Sequence, residues 1–223
     1  MRYTRYDYKK KKGDRFIWWL VPIIILSIII GISSYNMFFL DGNKSKATTS
    51  NEKTISTEDD KAFTAIQCGL YANEQGAQEL LKTIPEEYGA FIVQEDGKFK
   101  VIAGIFMYEE AEKKSSQLAT GNISNFRIRF NMPIKDIGIK TEGEIIQGYI
   151  MIINKIYEKD VKSINTKEFK AWTEEVVAKI SNNNEEIKSL VENIKNLPEE
   201  YNKESSKDSV KFLYNILLKY KVS

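Results

Sequence analysis

Residues 62–132 read AFTAIQCGLYANEQGAQELLKTIPEEYGAFIVQEDGKFKVIAGIFMYEEAEKKSSQLATGNISNFRIRFNM. Four short runs in this stretch alternate apolar and polar residues or are rich in β-branched and aromatic residues, which is typical of strands. The Asp96-Gly97 pair lies between the second and third runs and is a hairpin turn signal. The predicted strands are Phe63–Gly69, Ala90–Gln94, Lys98–Ala103 and Asn125–Phe130.

Two segments between these strands carry apolar residues at helical spacing. Asn73 can cap the first helix, which ends before Pro85, and the second begins near Tyr108 and is broken at Gly121-Asn122. The resulting order, β-α-β-β-α-β, is the split βαβ pattern of ferredoxin-like (RNP-like) domains. It predicts an α+β fold with a four-stranded antiparallel sheet, both helices on one face and the other face open to solvent or a ligand.

Side chains alternate along a strand, so each predicted strand has a helix-covered face and an open face. We expect these residues to face the two helices: Ile66, Cys68, Phe99, Val101, Ala103, Phe126, Ile128 and Phe130. The open face would then carry Phe63, Ala65, Gln67, Lys98, Lys100, Ile102, Arg127 and Arg129. This face is basic within a block that has seven basic and nine acidic residues. Such charges either bind a ligand or simply keep an exposed sheet face soluble.

Two motifs resemble those of the SPOR (sporulation-related repeat) domain family. Residues 66–71, Ile-Gln-Cys-Gly-Leu-Tyr, resemble the Val-Gln-x-Gly-Ser-Phe opening of that domain. Residues 99–106, Phe-Lys-Val-Ile-Ala-Gly-Ile-Phe, followed by the acidic, Ala-containing residues 109–112, resemble its second signature. The chain departs from the family pattern at Leu70, Lys100 and Ile105, where serine, arginine and proline are usual.

The resemblance implies binding of septal peptidoglycan, as glycan strands that lack stem peptides. Removal of a stem peptide frees a lactyl carboxylate on each muramic acid, so the ligand is an extended polymer with hydroxyls, acetamides and periodic negative charge. A shallow sheet face with one amide and several cations suits it. The candidate glycan-binding residues are Phe63, Gln67, Lys98, Lys100, Ile102, Arg127 and Arg129.

An apolar run near the N-terminus predicts a single transmembrane helix over residues 16–36. No charged residue lies between Arg15 and Asp41, and a 20-residue helix is about 30 Å long, which matches the hydrocarbon core of a bilayer. The basic tail, residues 1–15, predicts a cytoplasmic N-terminus, with the remainder outside the cell. A cleaved signal peptide is the alternative, but no small-residue cleavage pattern follows the run. Residues 37–61 are polar and predict a flexible tether.

Residues 142–223 have helical periodicity throughout, in four apolar stripes. Stripes of this kind either bury one another in a small bundle or dock on a partner. Pro133 and Gly138 lie between this helical region and residues 62–132, so we expect two independent modules. The alternative is that the stripe Ile145–Ile156 packs on the open face of the sheet and covers Gln67 and Lys100. The stripes are Ile145–Ile156, Phe169–Ile180, Ile187–Leu197 and Val210–Leu217.

Composition argues against several functional classes. The chain has no histidine, the commonest general base and metal ligand, and no nucleophile–base set is evident, so we expect no enzymatic activity, catalytic residue, metal site or cofactor. Cys68 is the only cysteine, so no intramolecular disulfide can form. The formal net charge is +2, of which the tail supplies +5 (seven basic minus two acidic), and the exported part is therefore near −3, unlike a nucleic-acid binder.

Together these features predict a non-enzymatic, single-pass membrane protein that binds peptidoglycan at the division or sporulation septum. The alternative is a septal scaffold whose C-terminal helices recruit cell-wall enzymes or division proteins. The two roles are compatible.

Overall fold

The computed structural model describes residues 60–133, 135–180 and 184–222, all within one compact unit. The predicted cytoplasmic tail and transmembrane helix, and all but the last two residues of the predicted tether, lie outside the described residues. Within the described ranges, no helix combines the length and the apolar composition needed to cross a bilayer.

The order β-α-β-β-α-β predicted for the first half of this unit is confirmed. The four strands form one antiparallel sheet in the order β2-β3-β1-β4. Ala77 of the first helix and Ala111 and Leu118 of the second pack on one face of the sheet against Ile66 and Val101, as predicted. The elements are β1 (Asp60–Tyr71), α1 (Glu74–Leu81), a 3-10 turn (Glu86–Tyr88), β2 (Phe91–Glu95), β3 (Lys98–Met107), α2 (Tyr108–Thr120) and β4 (Phe126–Pro133).

Local sequence signals account for the main boundaries. The Asn73 side chain accepts a hydrogen bond from the Gly76 amide at 2.9 Å and caps α1. Asp96 and Gly97 both have positive φ, 53° and 71°, as a two-residue hairpin turn requires. Strand β3 continues four residues beyond its predicted end at Ala103 because Gly104, with φ 92°, forms a β-bulge and does not terminate the strand.

All four apolar stripes of residues 142–223 lie mainly on helices. These helices surround a short two-stranded sheet, and the chain ends in a second 3-10 turn that leads to Lys221 and Val222. The elements are α3 (Ile137–Ile156), β5 (Ile164–Asn165), α4 (Lys167–Ala178), α5 (Glu185–Lys195), β6 (Glu200–Tyr201), α6 (Lys203–Leu217) and a 3-10 turn (Leu218–Tyr220).

The second face of the sheet is not open, which corrects the sequence prediction. Helices α3 and α6 pack on it, and one hydrophobic cluster joins sheet residues to residues of the C-terminal helices. The Tyr214 ring of α6 contacts Phe91 and Phe130 edge-on, with ring centroids 6.1 Å and 5.9 Å apart. The strands are apolar on both faces, so the sheet needs a helical layer on each side.

The C-terminal helices are therefore part of the same core as the sheet. Phe63, Ile102, Phe130 and Met132 are fully buried in the shared cluster. At 1.5–3 kcal/mol for each buried side chain, these four stabilise the packing by about 6–12 kcal/mol. That is comparable with the whole stability of an ordinary domain, about 5–15 kcal/mol. The expected division into modules 62–132 and 142–223 is not a division of the core.

Candidate functional site

Two of the candidate glycan-binding residues lie in the core. Phe63 and Ile102 are on the second face of the sheet, as predicted, but both are completely buried beneath the helical layer. Lifting this layer would expose a large part of the core, so a ligand cannot reach either side chain in the folded protein. Their apolar character reflects packing against the C-terminal helices.

Arg127 and Arg129 lie on the opposite face from Gln67 and Lys100, which is a second correction. In the register of β1 and β4, Ile66 pairs with Arg127 and Phe63 pairs with Phe130, so Arg127 shares the face that α1 and α2 cover. The alternation in β4 correctly divided its side chains into an apolar set and a basic set. Helices cover both faces of the sheet, however, so burial alone did not say which face each set occupies. An apolar set could therefore belong to either face.

These two arginines are also engaged in contacts with α2. The Arg127 guanidinium donates to Glu112 at 2.6 Å, and this hydrogen bond holds the pKa of Glu112 below its ordinary value. The Arg129 guanidinium lies 5.4 Å from the centre of the Tyr108 ring. The two side chains therefore fasten β4 to α2 and do not belong to one surface with Lys100.

One end of the second face extends beyond the helical layer. We call this surface the strip, and its residues are Gln67, Leu70, Lys98, Lys100 and Phe126. Gln67 is the register partner of Phe126 on β4, and Leu70 is the partner of Lys100 on β3. Partners in an antiparallel pair project on the same face, so these four side chains are neighbours. The structure thus brings together three of the seven predicted site residues, Gln67, Lys98 and Lys100.

Two large apolar side chains on the strip are open to solvent. Phe126 is 66% exposed and Leu70 is 47% exposed. Val222 is also exposed, and its amide donates to the Arg129 carbonyl at 2.9 Å on the same edge strand as Phe126.

The prediction that Phe126, Ile128 and Phe130 face α1 and α2 is wrong, because all three project on the second face, where Ile128 and Phe130 pack in the cluster shared with the C-terminal helices. The place of Phe126 at the first position of an edge strand, beyond the reach of the helical layer, was not evident from the local sequence.

Lys100 is held by a network centred on Glu95. The Lys100 ammonium lies 2.6 Å from Glu95 Oε1, and the Lys221 ammonium lies 3.7 Å from the same oxygen. The Tyr214 hydroxyl donates to Glu95 Oε2 at 3.3 Å. Burial acts to raise the pKa of Glu95, but the hydrogen bond and charge of Lys100 outweigh it and hold the pKa below its ordinary value. Glu95 is therefore ionised at neutral pH and ties the strip to the C-terminal segment.

The strip combines an apolar ring, an amide and positive charge. The Phe126 ring is an exposed apolar platform, the Gln67 amide can both donate and accept hydrogen bonds, and Lys98 and Lys100 supply positive charge. The residues of the strip come from the adjacent strands β3, β1 and β4 at one end of the sheet.

The Cys68 thiol and a metal site are the other two candidates for chemistry. Burial raises the pKa of the Cys68 thiol to about 11, so it stays protonated and is a poor nucleophile at neutral pH. Across the described ranges, no group of three or more acidic, Cys or His side chains could hold a metal ion.

No protein-family model and no curated protein matches this chain. Among solved structures, the chain is similar to the peptidoglycan-binding domain of the B. subtilis cell wall lytic enzyme CwlC, with 17% sequence identity and a TM-score of 0.27. The similarity covers 38% of this chain and 98% of that domain.

Proposed function

We propose that this protein is a non-enzymatic, membrane-anchored protein that binds cell-wall glycan through the strip. The ligand is peptidoglycan in the form of glycan strands lacking stem peptides, and the site of action is the division or sporulation septum. The SPOR-like motifs at residues 66–71 and 99–106 support the ligand class, and the apolar run at residues 16–36 supports the anchor. Both motifs contribute residues to the strip, Gln67 and Leu70 from the first and Lys100 from the second.

The observation that carries the proposal is the exposed Phe126 ring beside the Gln67 amide. An exposed aromatic ring next to an amide that both donates and accepts hydrogen bonds, with cations nearby, suits the apolar face and the polar substituents of a sugar ring. Each exposed ion pair adds about 1 kcal/mol or less, so binding by one strip is modest and salt-sensitive. Tethering to the membrane raises the local concentration near the wall and compensates for this weakness.

The direction of β1 supports the same role. The described chain enters the sheet at Asp60, and the strip begins seven to ten residues further along the same strand, at Gln67 and Leu70. At about 3.3 Å per residue, the strip lies roughly 23–33 Å from the point of entry. A tether that enters at one end leaves the strip at the other end free to meet the wall.

The alternative role, a scaffold that recruits partners through its C-terminal helices, has less structural support. It required apolar helical stripes free to dock on a partner, and the stripes on α3, α5 and α6 are buried against the sheet and one another.

The proposal is tested by retention of the purified protein on amidase-treated cell wall. Phe126→Ala is expected to weaken binding roughly fivefold, which corresponds to about 1 kcal/mol for one lost aromatic contact. Gln67→Ala combined with Phe126→Ala should abolish retention, because both side chains face the same stretch of ligand. Circular dichroism and thermal melting establish that the variants are folded.

Ile137→Ala is the matched control. Ile137 is 64% exposed, close to the value for Phe126, but it lies at the start of α3, at the opposite end of β4 from the strip. It should leave retention unchanged. Equal pelleting of wild type and the Gln67/Phe126 double variant would reject the strip as the binding surface.

A further inference from the structure

Two ammonium groups share one carboxylate oxygen at the edge of the strip. Glu95 Oε1 lies 2.6 Å from Lys100 Nζ and 3.7 Å from Lys221 Nζ, and Oε2 accepts from Tyr214. Lys100 holds the carboxylate tightly, whereas Lys221 stands just outside hydrogen-bond distance. The three charges sum to +1, so the cluster has one more positive charge than it can satisfy internally.

This arrangement matters for how Lys100 could meet an anionic ligand. The Lys100 side chain is only 12% exposed and already bonded to Glu95, whose side chain is 20% exposed. A ligand carboxylate that bound Lys100 would remove the cation from Glu95, whose carboxylate is already largely desolvated. Leaving a partly buried carboxylate without a close cation is unfavourable, so Lys100 alone makes a weak anion site.

Lys221 is close enough to replace Lys100 as the cation beside Glu95. It belongs to the last segment of the chain, where it pairs with Phe130 at the edge of the sheet and is 41% exposed. A charge-assisted hydrogen bond is 2.7–2.9 Å long, so a shift of about 1 Å closes the 3.7 Å gap between Lys221 and Glu95. The Tyr214 hydroxyl holds the other oxygen, which lets the carboxylate pivot without losing all its contacts.

We propose that Lys221 is a positioning residue that determines specificity for anionic glycan. When a ligand carboxylate binds Lys100, the ion pair between Lys100 and Glu95 breaks. Lys221 then forms an ion pair with Glu95 in its place. This rests on the proposed function and assigns to the lactyl carboxylate of a muramic acid the place beside Lys100. Ligands without a carboxylate leave Glu95 on Lys100 and gain nothing from Lys221.

The test compares two forms of one ligand with the full-length protein in detergent. The first probe is soluble glycan strands prepared with amidase, which carry free lactyl carboxylates. The second is the same strands after conversion of those carboxylates to amides. Lys221→Met is expected to weaken binding of the carboxylate form about three- to fivefold, the size of one exposed ion pair, and to leave binding of the amide form unchanged. Lys221→Arg should restore the wild-type affinity.

We call this exchange of Glu95 from Lys100 to Lys221 the relay. Two further variants distinguish the relay from a general effect of positive charge on binding. Lys219→Met removes a neighbouring ammonium of similar exposure that pairs with Glu186, away from the strip, and it should change neither affinity. In a Glu95→Gln background Lys100 no longer has a carboxylate to release, so adding Lys221→Met should have no further effect.

An equal loss for both forms of the ligand, no loss for either, or a loss that persists in the Glu95→Gln background would overturn the relay while leaving the glycan site standing. Failure of the wild-type protein to bind either form would overturn the proposed function and the relay with it.

Discussion

At the scale of single residues, the most informative side chains are carboxylates that the fold places where water cannot reach them fully. Glu142 of α3 has no exposed surface, yet it accepts hydrogen bonds from the Tyr220 hydroxyl at 3.1 Å and from the Asn184 amide at 3.3 Å. It therefore links α3 to the start of α5 and to the final turn of the chain. Desolvation outweighs these bonds and raises the pKa of Glu142 above its ordinary value.

We predict opposite effects for two substitutions of Glu142. Glu142→Gln keeps an oxygen that accepts from Tyr220 and Asn184 but removes the buried charge, so it should raise the free energy of unfolding by about 1 kcal/mol at pH 7. Glu142→Ala leaves two half-buried donors without their acceptor and should cost about 1–3 kcal/mol. Urea unfolding of both variants measures the difference.

The pH dependence follows from the direction of the pKa shift. Because the folded-state pKa of Glu142 is raised, protonation favours the folded state, and this stability is present at low pH and lost as pH rises through the folded pKa. The advantage of Glu142→Gln should therefore shrink as pH falls and vanish below the unfolded-state pKa of glutamate, about 4.3. A constant advantage from pH 7 to pH 4 would contradict this account.

At the scale of elements, two compensating bulges position the strip. Between Ala65 and Gln67, β3 has one extra residue near Gly104, and between Gln67 and Gly69, β1 has one extra residue at Cys68. Each bulge breaks the alternation within its own strand and shifts the register of the two strands by one residue, and the two register shifts cancel. Leu70 and Lys100 consequently project on the same face as Gln67.

We predict that Gly104→Ala is far more damaging than a matched change in the hairpin. Gly104 has φ 92°, and a Cβ there would lie 2.5 Å from the Tyr88 backbone oxygen, so substitution combines strain with a clash and should cost about 3 kcal/mol. Gly97 also has positive φ, 71°, but open space around it, so Gly97→Ala should cost only about 1 kcal/mol. Equal melting temperatures for the two variants would show that the bulge tolerates a side chain.

At the scale of the whole molecule, the sheet is the middle layer of three. Helices α1 and α2 cover one face around Val101, and the C-terminal helices cover the other around Phe63 and Phe130. The β-α-β-β-α-β half is thus not closed on its own, and the strip is the part of the second face that stays exposed.

We predict that truncation after Met132 gives an insoluble product. The fragment would expose Phe63, Ile102 and Phe130, which are completely buried in the intact chain, on a sheet face with no partner. Deletion of residues 1–53 is the control, because it keeps every residue that the structure describes, and these lie in one compact unit; that variant should stay soluble and melt in one cooperative transition. A soluble Met132-truncated fragment with a cooperative melt would show that the sheet and its first two helices suffice.

Local pattern was enough to predict the order of elements and much of the strip. The cap at Asn73, the Asp96-Gly97 turn and the change of period at Tyr108 depend on residues close in sequence, and each is where the pattern placed it. The alternation also placed Gln67 and Lys100 on one face. These features are determined by backbone sterics and by hydrogen bonds within a few residues, so they can be predicted without knowing the packing.

What packs on each face was decided only by the tertiary structure. Alternation divides the residues of β4 into two sets but does not say which set meets which helices, so Phe126 and Arg127 were assigned to the wrong faces. The C-terminal stripes were apolar in either arrangement, and nothing local distinguished burial on the sheet from burial on a partner. By itself, the sequence determined a split βαβ sheet with four further amphipathic helices. Long-range burial of apolar surface decided that those helices cover the sheet and leave the strip at its end exposed.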